Sequence, residues 1–497
     1  MDLPFNQGAE NPANPNQNHR PPLNCKPSST LWFLSLSVLL ISLTLGIANT
    51  RLYKLHSLRS TLSGPLQPMT QKTLDLSEQT TISKPQINVL WMAPFLSGGG
   101  YSSEAWSYVT ALEETGQTNF NLMILHHGDQ EALDFWDGLP EKTRLLAQKL
   151  YYRGPIPLNQ TVIICHSEPG AWYPPLFLTL PCPPTGYKEA AFVIGRTMFE
   201  TDRLNPEHVA RCNKMNSIWV PTDFHISTFL KSGVNPTKIR KIIQPVDVDF
   251  FNPEKWKPQK IQTLGRLVLG RPNSQKSSEL LPSNADFVFL SVFKWEFRKG
   301  WDILLKAYLQ EFEASDNVFL SLITNRYHFD EDIGTKIKEF LENSNMTEPN
   351  SGWAPINLID AHIPQRCLPE IYKGADAFVL ASRGEGWGRP IVEAMAMALP
   401  VISTNWSGPR EYMTEENSYP LPVEGMRVIG EGPFKGHLWA EPSVNGLRIL
   451  MRRVWLNGEE RERKGKKGRE DMVRRFSPHV VARVVVDEIL QLLKEEM

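Results

Sequence analysis

Cysteine is scarce in this 497-residue chain. The five, Cys25, Cys165, Cys182, Cys212 and Cys367, are scattered, odd in number and contain no C-x-x-C pair. That argues against a zinc site or a disulfide framework and leaves one bridge open. Cys165 ends an apolar run and reads as a small buried hydrophobe. An excess of one charge is also missing. Lys+Arg 53 against Asp+Glu 54 gives a net charge of -1, so nothing global points to nucleic acid or an anionic membrane surface as partner. The run 459–470 mixes both signs and reads as a solvated helix face. Hydrophobic content of 41% and charged content of 22% are near globular averages. The length suits roughly three domains at ~150 residues each.

Residues 1–30 are rich in Pro and Asn, poor in apolar side chains, and read as a disordered tail. Residues 31–48, LWFLSLSVLLISLTLGIA, carry no charge. As a helix they would span about 27 Å, enough for a thinner bilayer. A transmembrane anchor at 31–49 is the expectation. A cleaved signal peptide is the alternative, with Gly46-Ile47-Ala48 as a weak small-x-small site. Arg20 and Lys26 precede the segment; Arg51, Lys54 and Arg59 follow it, which slightly favours a cytosolic C-terminal side. Residues 50–85 are Ser, Thr, Gln and Lys rich and look like a stem. The sequons at Asn159, Asn345 and Asn405 are near the chance rate and do not decide the compartment.

From residue 86 the chain alternates strand and helix. Apolar strands are expected at 87–92, 122–125, 161–165, 190–194 and 218–220, with a first helix over 103–114. Residues 256–284 are Lys, Gln, Ser and Pro rich, lack periodicity and read as a linker. A second half repeats the alternation, with strands at 287–293, 318–324, 356–359, 377–380 and 400–403. Residues 477–494 form an amphipathic closing helix. Two α/β halves, at 86–255 and 285–476, predict two parallel sheets with a ligand cleft between them.

The most informative stretch is 381–410, ASRGEGWGRPIVEAMAMALPVISTNWSGPR. Glu385 and Glu393 are separated by seven residues, with Gly386 and Gly388 between them. Pro390 opens a run of helix formers, where its missing N–H costs nothing. A helix N-terminus carries free N–H groups and partial positive charge, and glycines let an anion approach. Carboxylates accept several hydroxyl hydrogen bonds, which suits a sugar. The pattern is a site for a phosphorylated, sugar-containing ligand.

This stretch resembles the donor signature of retaining glycosyltransferases of family four, the group-one superfamily with the GT-B fold. The likeness extends over roughly residues 86–480. It implies an α/β fold of two Rossmann-like domains facing a central cleft, preceded here by a single N-terminal transmembrane helix. It implies that Glu393 holds ribose hydroxyls and that Glu385 lies near the donor sugar. The backbone of Gly386, Trp387 and Gly388 would face sugar or phosphate, with Arg389 and Pro390 opening the helix and Ser407 adding a contact. Gly98, Gly99 and Gly100 resemble the glycine loop of the N-terminal domain. In FKWEFRKGW, Lys299 matches the family lysine, whereas Phe293 and Lys294 replace the usual Gly-Arg. Lys294 is then a point charge where a fork is usual, and Arg298 reads as solvent-facing. Residues 360–363 follow the strand that borders the base in relatives.

On the acceptor side, His166 at a strand end is a candidate to orient the acceptor or assist proton transfer. RTMFETDRL supplies Arg196, Glu200 and Asp202, but not the His many relatives place there. Glu200 stands in as the candidate. Asp247-Val-Asp249 looks like the metal-binding motif of the other glycosyltransferase fold and is read as a structural turn, so no metal and no separate cofactor are expected. The resulting expectation is a hexosyltransferase that uses a UDP- or GDP-sugar and a glycan, lipid or protein acceptor, without nucleic acid. An epimerase-like enzyme and a non-catalytic nucleotide-sugar scaffold are the alternatives. The tail–anchor–catalytic order resembles single-pass type II Golgi enzymes, against the charge rule. An endoplasmic-reticulum membrane protein, or a secreted one after signal cleavage, is the other outcome.

Overall fold

The computed structural model describes residues 87–116, 120–152, 154–184, 190, 192–271, 287–325, 331–361 and 363–496. The expected tail, anchor and stem lie outside these residues. Among the described residues no helix is long and apolar enough to cross a membrane.

The first unit is a six-stranded parallel sheet. Its strands are β1 (Ile87–Ala93), β2 (Phe120–His126), β3 (Thr161–His166), β4 (Phe192–Arg196), β5 (Ser217–Val220) and β6 (Ile239–Lys241), ordered β2-β1-β3-β4-β5-β6. Alternation along β1 explains its two-sided core. Val89, Trp91 and Ala93 join one cluster and Leu90 and Met92 the other, because successive side chains point to opposite faces. β3 is buried throughout, as a parallel strand covered on both faces must be. Helix α1 (Gly100–Thr115) follows β1.

The second unit is a seven-stranded sheet. It contains β7 (Arg266–Leu269), β8 (Phe287–Lys294), β9 (Val318–Asn325), β10 (Ile356–Ile359), β11 (Ala377–Leu380), β12 (Val401–Thr404) and β13 (Tyr419–Leu421), ordered β13-β12-β11-β8-β9-β10-β7. Helices α2 (Trp301–Glu311), α3 (Arg389–Ala396), α4 (Gly458–Phe476) and α5 (Pro478–Glu496) belong to this half of the chain. A hairpin, β14 (Val423–Val428) and β15 (Leu438–Pro442), stands apart from both sheets.

In each sheet the strand order reverses beside the unit's first long strand. β1 sits between β2 and β3, and β8 between β9 and β11. Loops leaving such neighbours diverge and open a crevice at the carboxyl ends of the strands. The glycine loop follows β1, and the segments carrying Lys299 and Glu385 follow β8 and β11. Topology therefore delivers the expected motifs to the two crevices.

Three expectations need correction. Residues 266–269, inside the expected linker, form an edge strand antiparallel to β10; four residues of RLVL flanked by polar sequence show no period. The charged helix α4 is not solvated all round: Lys464 is buried, donating to the carbonyls of Glu415 and Ser418 at 2.5 and 2.8 Å. Cys165 is not a lone hydrophobe but is disulfide-bonded to Cys182, 17 residues on.

The chain crosses between the units twice. Residues after β6 lead out of the first unit, and α5 returns to it, burying Val481, Ala482, Val485, Ile489 and Leu492 in the core beneath α1. That spacing is the apolar stripe of an amphipathic helix. The two crossings touch, the Val246 amide donating to the Phe476 carbonyl at 2.9 Å.

Candidate active site

The loop after β8 turns tightly at Gly300, which has φ 65°. A Cβ there would lie 1.8 Å from the Ala381 carbonyl oxygen, so only glycine lets the loops after β8 and β11 meet. They are then stitched together. The Arg383 amide donates to the Arg298 carbonyl at 2.7 Å. The buried Arg383 guanidinium holds Asp302 at 2.7 and 2.8 Å and Glu441 of β15 at 2.8 Å.

This stitching fixes Glu385. Lys299 Nζ donates to its Oε1 at 2.7 Å and its Oε2 at 3.0 Å. Arg298 Nη1 lies 3.8 Å from Oε2. Burial pushes the Glu385 carboxyl up, but Lys299 and Arg298 outweigh it and hold the group below the usual carboxylate range. Burial, reinforced by Arg298, lowers the Lys299 ammonium against the pull of Glu385. The Glu385 amide donates to Ser407 Oγ at 3.0 Å, and the Gly408 amide returns a bond to the Glu385 carbonyl at 3.0 Å. Ser407, at φ 57°, is fully buried. Its hydroxyl positions the Glu385 loop.

One further expectation changes here. Arg298 is not solvent-facing: Nη1 donates to the Gly384 carbonyl at 2.7 Å, and Nη2 to Glu296 at 3.2 Å. Nη1 also stands 3.7 Å from Glu200 Oε1 of the first unit. Arg298 thus stands with Lys299 beside Glu385. Lys294 is the last residue of β8, in register with Asn325. The Trp387 ring lies in the core, packed on Tyr412 and Phe476 at 5.1 and 5.6 Å, and its carbonyl accepts from Tyr412 at 2.5 Å.

Gly388, at φ 93°, turns the chain into α3, with Arg389 and Pro390 in its first turn. Arg389 Nη1 donates to the Pro245 carbonyl at 3.2 Å. Glu393, one helical turn on, accepts from the Tyr372 hydroxyl at 3.0 Å and has Arg389 Nε at 3.8 Å. Its burial raises the carboxyl, against the opposing pull of Arg389 and Tyr372. A 380 Å3 cavity opens beside Arg389, bounded by Trp106 of α1, Asp247, Phe250, Trp256 and Gln365. Asp247 Oδ1 caps its own turn, accepting from the amides of Asp249 and Phe250 at 3.1 and 2.9 Å. Among the described residues no cluster of three or more His, Cys, Asp or Glu is placed to hold a metal ion.

The first unit meets this site through α1. Gly98 and Gly99 lead into α1, which begins at Gly100. Tyr101, next along, donates to the Met198 carbonyl at 2.9 Å. The Met198 side chain lies against Gly386, where a Cβ would be 2.7 Å from its sulfur. The glycine loop, Met198, Glu200 and the Glu385 loop therefore face one another.

His166 does not reach the cleft. It has no exposed surface; Nδ1 accepts from Trp91 Nε1 at 3.0 Å, and Nε2 lies 3.1 Å from Glu104 Oε2. Tyr101 stands edge-on to its ring. Arg196 donates to Glu104 Oε1 at 2.8 and 2.5 Å. Burial raises the Glu104 carboxyl, but Arg196 and His166 bring it down to about 2. Burial also lowers the His166 imidazole. This is a buried network beneath the first crevice, not an acceptor contact. The carboxylate that the sequence reading passed over is Glu168, inside HSEPG. Burial raises it, and neighbouring Asp129 and Glu200 raise it further. Its place two residues after a strand end was the available signal.

Residues 284–426 match the sequence model described as Glycosyl transferases group 1. A mannosylfructose-phosphate synthase from Agrobacterium fabrum is 28% identical over 121 residues, 24% of this chain and 26% of that protein. The match thus spans about a quarter of the length of that curated relative. Among solved structures, a glycosyltransferase from Rickettsia africae aligns at TM-score 0.55 and 15% identity, covering 83% of this chain and 100% of that one. Anabaena HepE in complex with UDP and glucose gives 0.54 and 13%, covering 82% and 100%. The sucrose-phosphate synthase of Thermosynechococcus elongatus gives 0.53 and 14%, covering 82% and 100%. At these identities the likeness is one of fold: the α/β, GT-B-like glycosyltransferase architecture.

Proposed function

We propose that this chain, which carries a glycosyltransferase group 1 domain at residues 284–426, transfers a hexose from a UDP- or GDP-sugar to an acceptor hydroxyl with retention at the anomeric carbon. The observation that carries the reading is the joining of Lys299 and Arg298 to Glu385 at the crevice of the second sheet. A departing nucleoside diphosphate needs positive charge placed in advance in a water-poor site. Lys299, Arg298 and the N-terminus of α3 offer it. Glu385 suits hydroxyls of the donor sugar and Glu393 those of the ribose. The acceptor oxygen bonds to the anomeric carbon on the face from which the phosphate leaves. The C–O bond to phosphate breaks, and the leaving oxygen takes the acceptor proton. Glu200 and Glu168 line the acceptor approach.

The same reading makes residues 31–49 a membrane anchor of type II orientation in the Golgi. The Cys165–Cys182 bond supports a luminal position for the folded part, because disulfides persist in oxidising compartments.

Purified full-length chain in detergent, given a panel of UDP- and GDP-sugars, should bind one of them and release its nucleoside diphosphate when acceptor is supplied. Undiminished release by Lys299→Ala protein would overturn the reading. In sealed Golgi vesicles, digestion of the catalytic part without detergent would overturn the orientation.

A further inference from the structure

Residues 173–180, YPPLFLTL, lie within an uncharged run from Pro169 to Tyr187. Tyr173, Leu176, Phe177 and Leu180 are 43–53% exposed, and Leu178 is fully exposed. Single exposed apolar side chains are ordinary, but five in eight residues form a patch of the kind that marks an interaction surface. The segment is not loose. Its root is the Cys165–Cys182 bond. The Tyr173 amide donates to the Cys182 carbonyl at 2.8 Å and the Leu176 amide to the Gly170 carbonyl at 2.7 Å. Arg211 donates twice to the Pro174 carbonyl, at 2.9 and 2.6 Å. His127 Nδ1 bonds the Leu180 carbonyl at 2.6 Å, and the Gly128 amide donates to Thr179 Oγ1 at 3.0 Å. These five groups are turned inward and bonded while the large apolar side chains are held out.

We propose that residues 173–180 are a bilayer-docking loop that places Leu176, Phe177 and Leu178 in the apolar layer of the membrane. The inference rests on the reading of residues 31–49 as an anchor and adds a second point of contact. Three observations select lipid as the occupant. The loop carries no charge, so it meets no penalty beneath the headgroups. Its Tyr173 and Leu176 amides and its Thr179 hydroxyl already have partners, which lowers the cost of moving the loop out of water. The chain also brings its own membrane-length apolar run, joined to Ile87 by residues 49–86, a tether of up to ~130 Å when extended. That reach lets the carboxyl-end face of the first sheet turn toward the surface. Glu168 precedes the loop directly, so docking brings the acceptor approach to the bilayer.

The test uses the full chain in phosphatidylcholine nanodiscs, with an environment-sensitive fluorophore on Leu178→Cys and, as control, on Leu456→Cys, an exposed site in the second unit. A lipid-borne nitroxide should quench position 178 at least twofold more than position 456, with iodide showing the reverse order. Co-elution with nanodiscs but iodide access at 178 overturns the docking loop and leaves the anchor standing. Shielding of 178 from both quenchers also overturns it, in favour of a protein occupant. Failure of the chain to co-elute overturns anchor and loop together.

Discussion

The Lys299 ammonium spans both carboxylate oxygens of Glu385, at 2.7 and 3.0 Å, although the two residues are 86 apart in the chain. Neither group is placed by its own element alone; Gly300 and Ser407 bring the loops together. Lys299→Ala removes the nearest cation and leaves Glu385 buried beside Arg298. We expect kcat for sugar transfer to fall ~10²–10³-fold, the usual cost of deleting one preorganised electrostatic partner. Nucleoside diphosphate release under saturating donor measures it, with circular dichroism to confirm folding.

Arg298 reaches the Gly384 carbonyl, Glu296, Glu200 and Glu385 at once because its guanidinium is a fork. Arg298→Lys keeps the charge and loses that geometry. The lysine variant should retain more kcat than Arg298→Ala, which should lose ~10²-fold. Values within twofold of the unaltered protein for both would return Arg298 to the role of a surface charge.

Much of the frame was legible beforehand, for local reasons. Apolar runs such as TVIICH and AFVL identify buried parallel strands, and the Gly-rich turn before Pro390 identifies a helix start. The misreadings concern long-range placement. Arg298 looks solvent-facing until Gly300 folds its loop onto Ala381. His166 looks like a cleft residue until Tyr101 covers it. Cys165 finds its partner across a loop whose shape no spacing rule gives.

Acid should loosen the first unit through its buried Glu104–His166–Arg196 network. Glu104 sits at about 2 in the fold against an ordinary value of 4.5, so its contribution is fully present above 4.5 and is lost as pH falls toward about 2. His166 is also lowered by burial, so it too stabilises less as pH falls below the ordinary imidazole value. The urea midpoint should therefore begin to drop below pH 6.5 and fall further between pH 4.5 and about 2. Glu104→Gln should cost ~3–5 kcal/mol at neutral pH by stranding Arg196 and should flatten the acid limb. An unchanged limb would place the acid sensitivity elsewhere.

Replacing Cys165 and Cys182 by alanine opens a 17-residue loop. We expect a loss of ~3 kcal/mol from the first unit, read as a lower thermal midpoint. Dithiothreitol should lower the midpoint of the unaltered protein and have a much smaller effect on the double variant.

The Val246–Phe476 hydrogen bond ties the outgoing and returning crossings side by side. Two adjacent tethers remove sliding and twisting and leave rotation about the line through them as the soft motion. The width of the cleft then has a single principal coordinate. A molecule held by Lys299 alone leaves that coordinate to the Arg298–Glu200 pair, whereas one that also touches the Tyr101 side fixes it. Donor and acceptor can thus influence each other's binding through one angle, without any rearrangement inside either sheet.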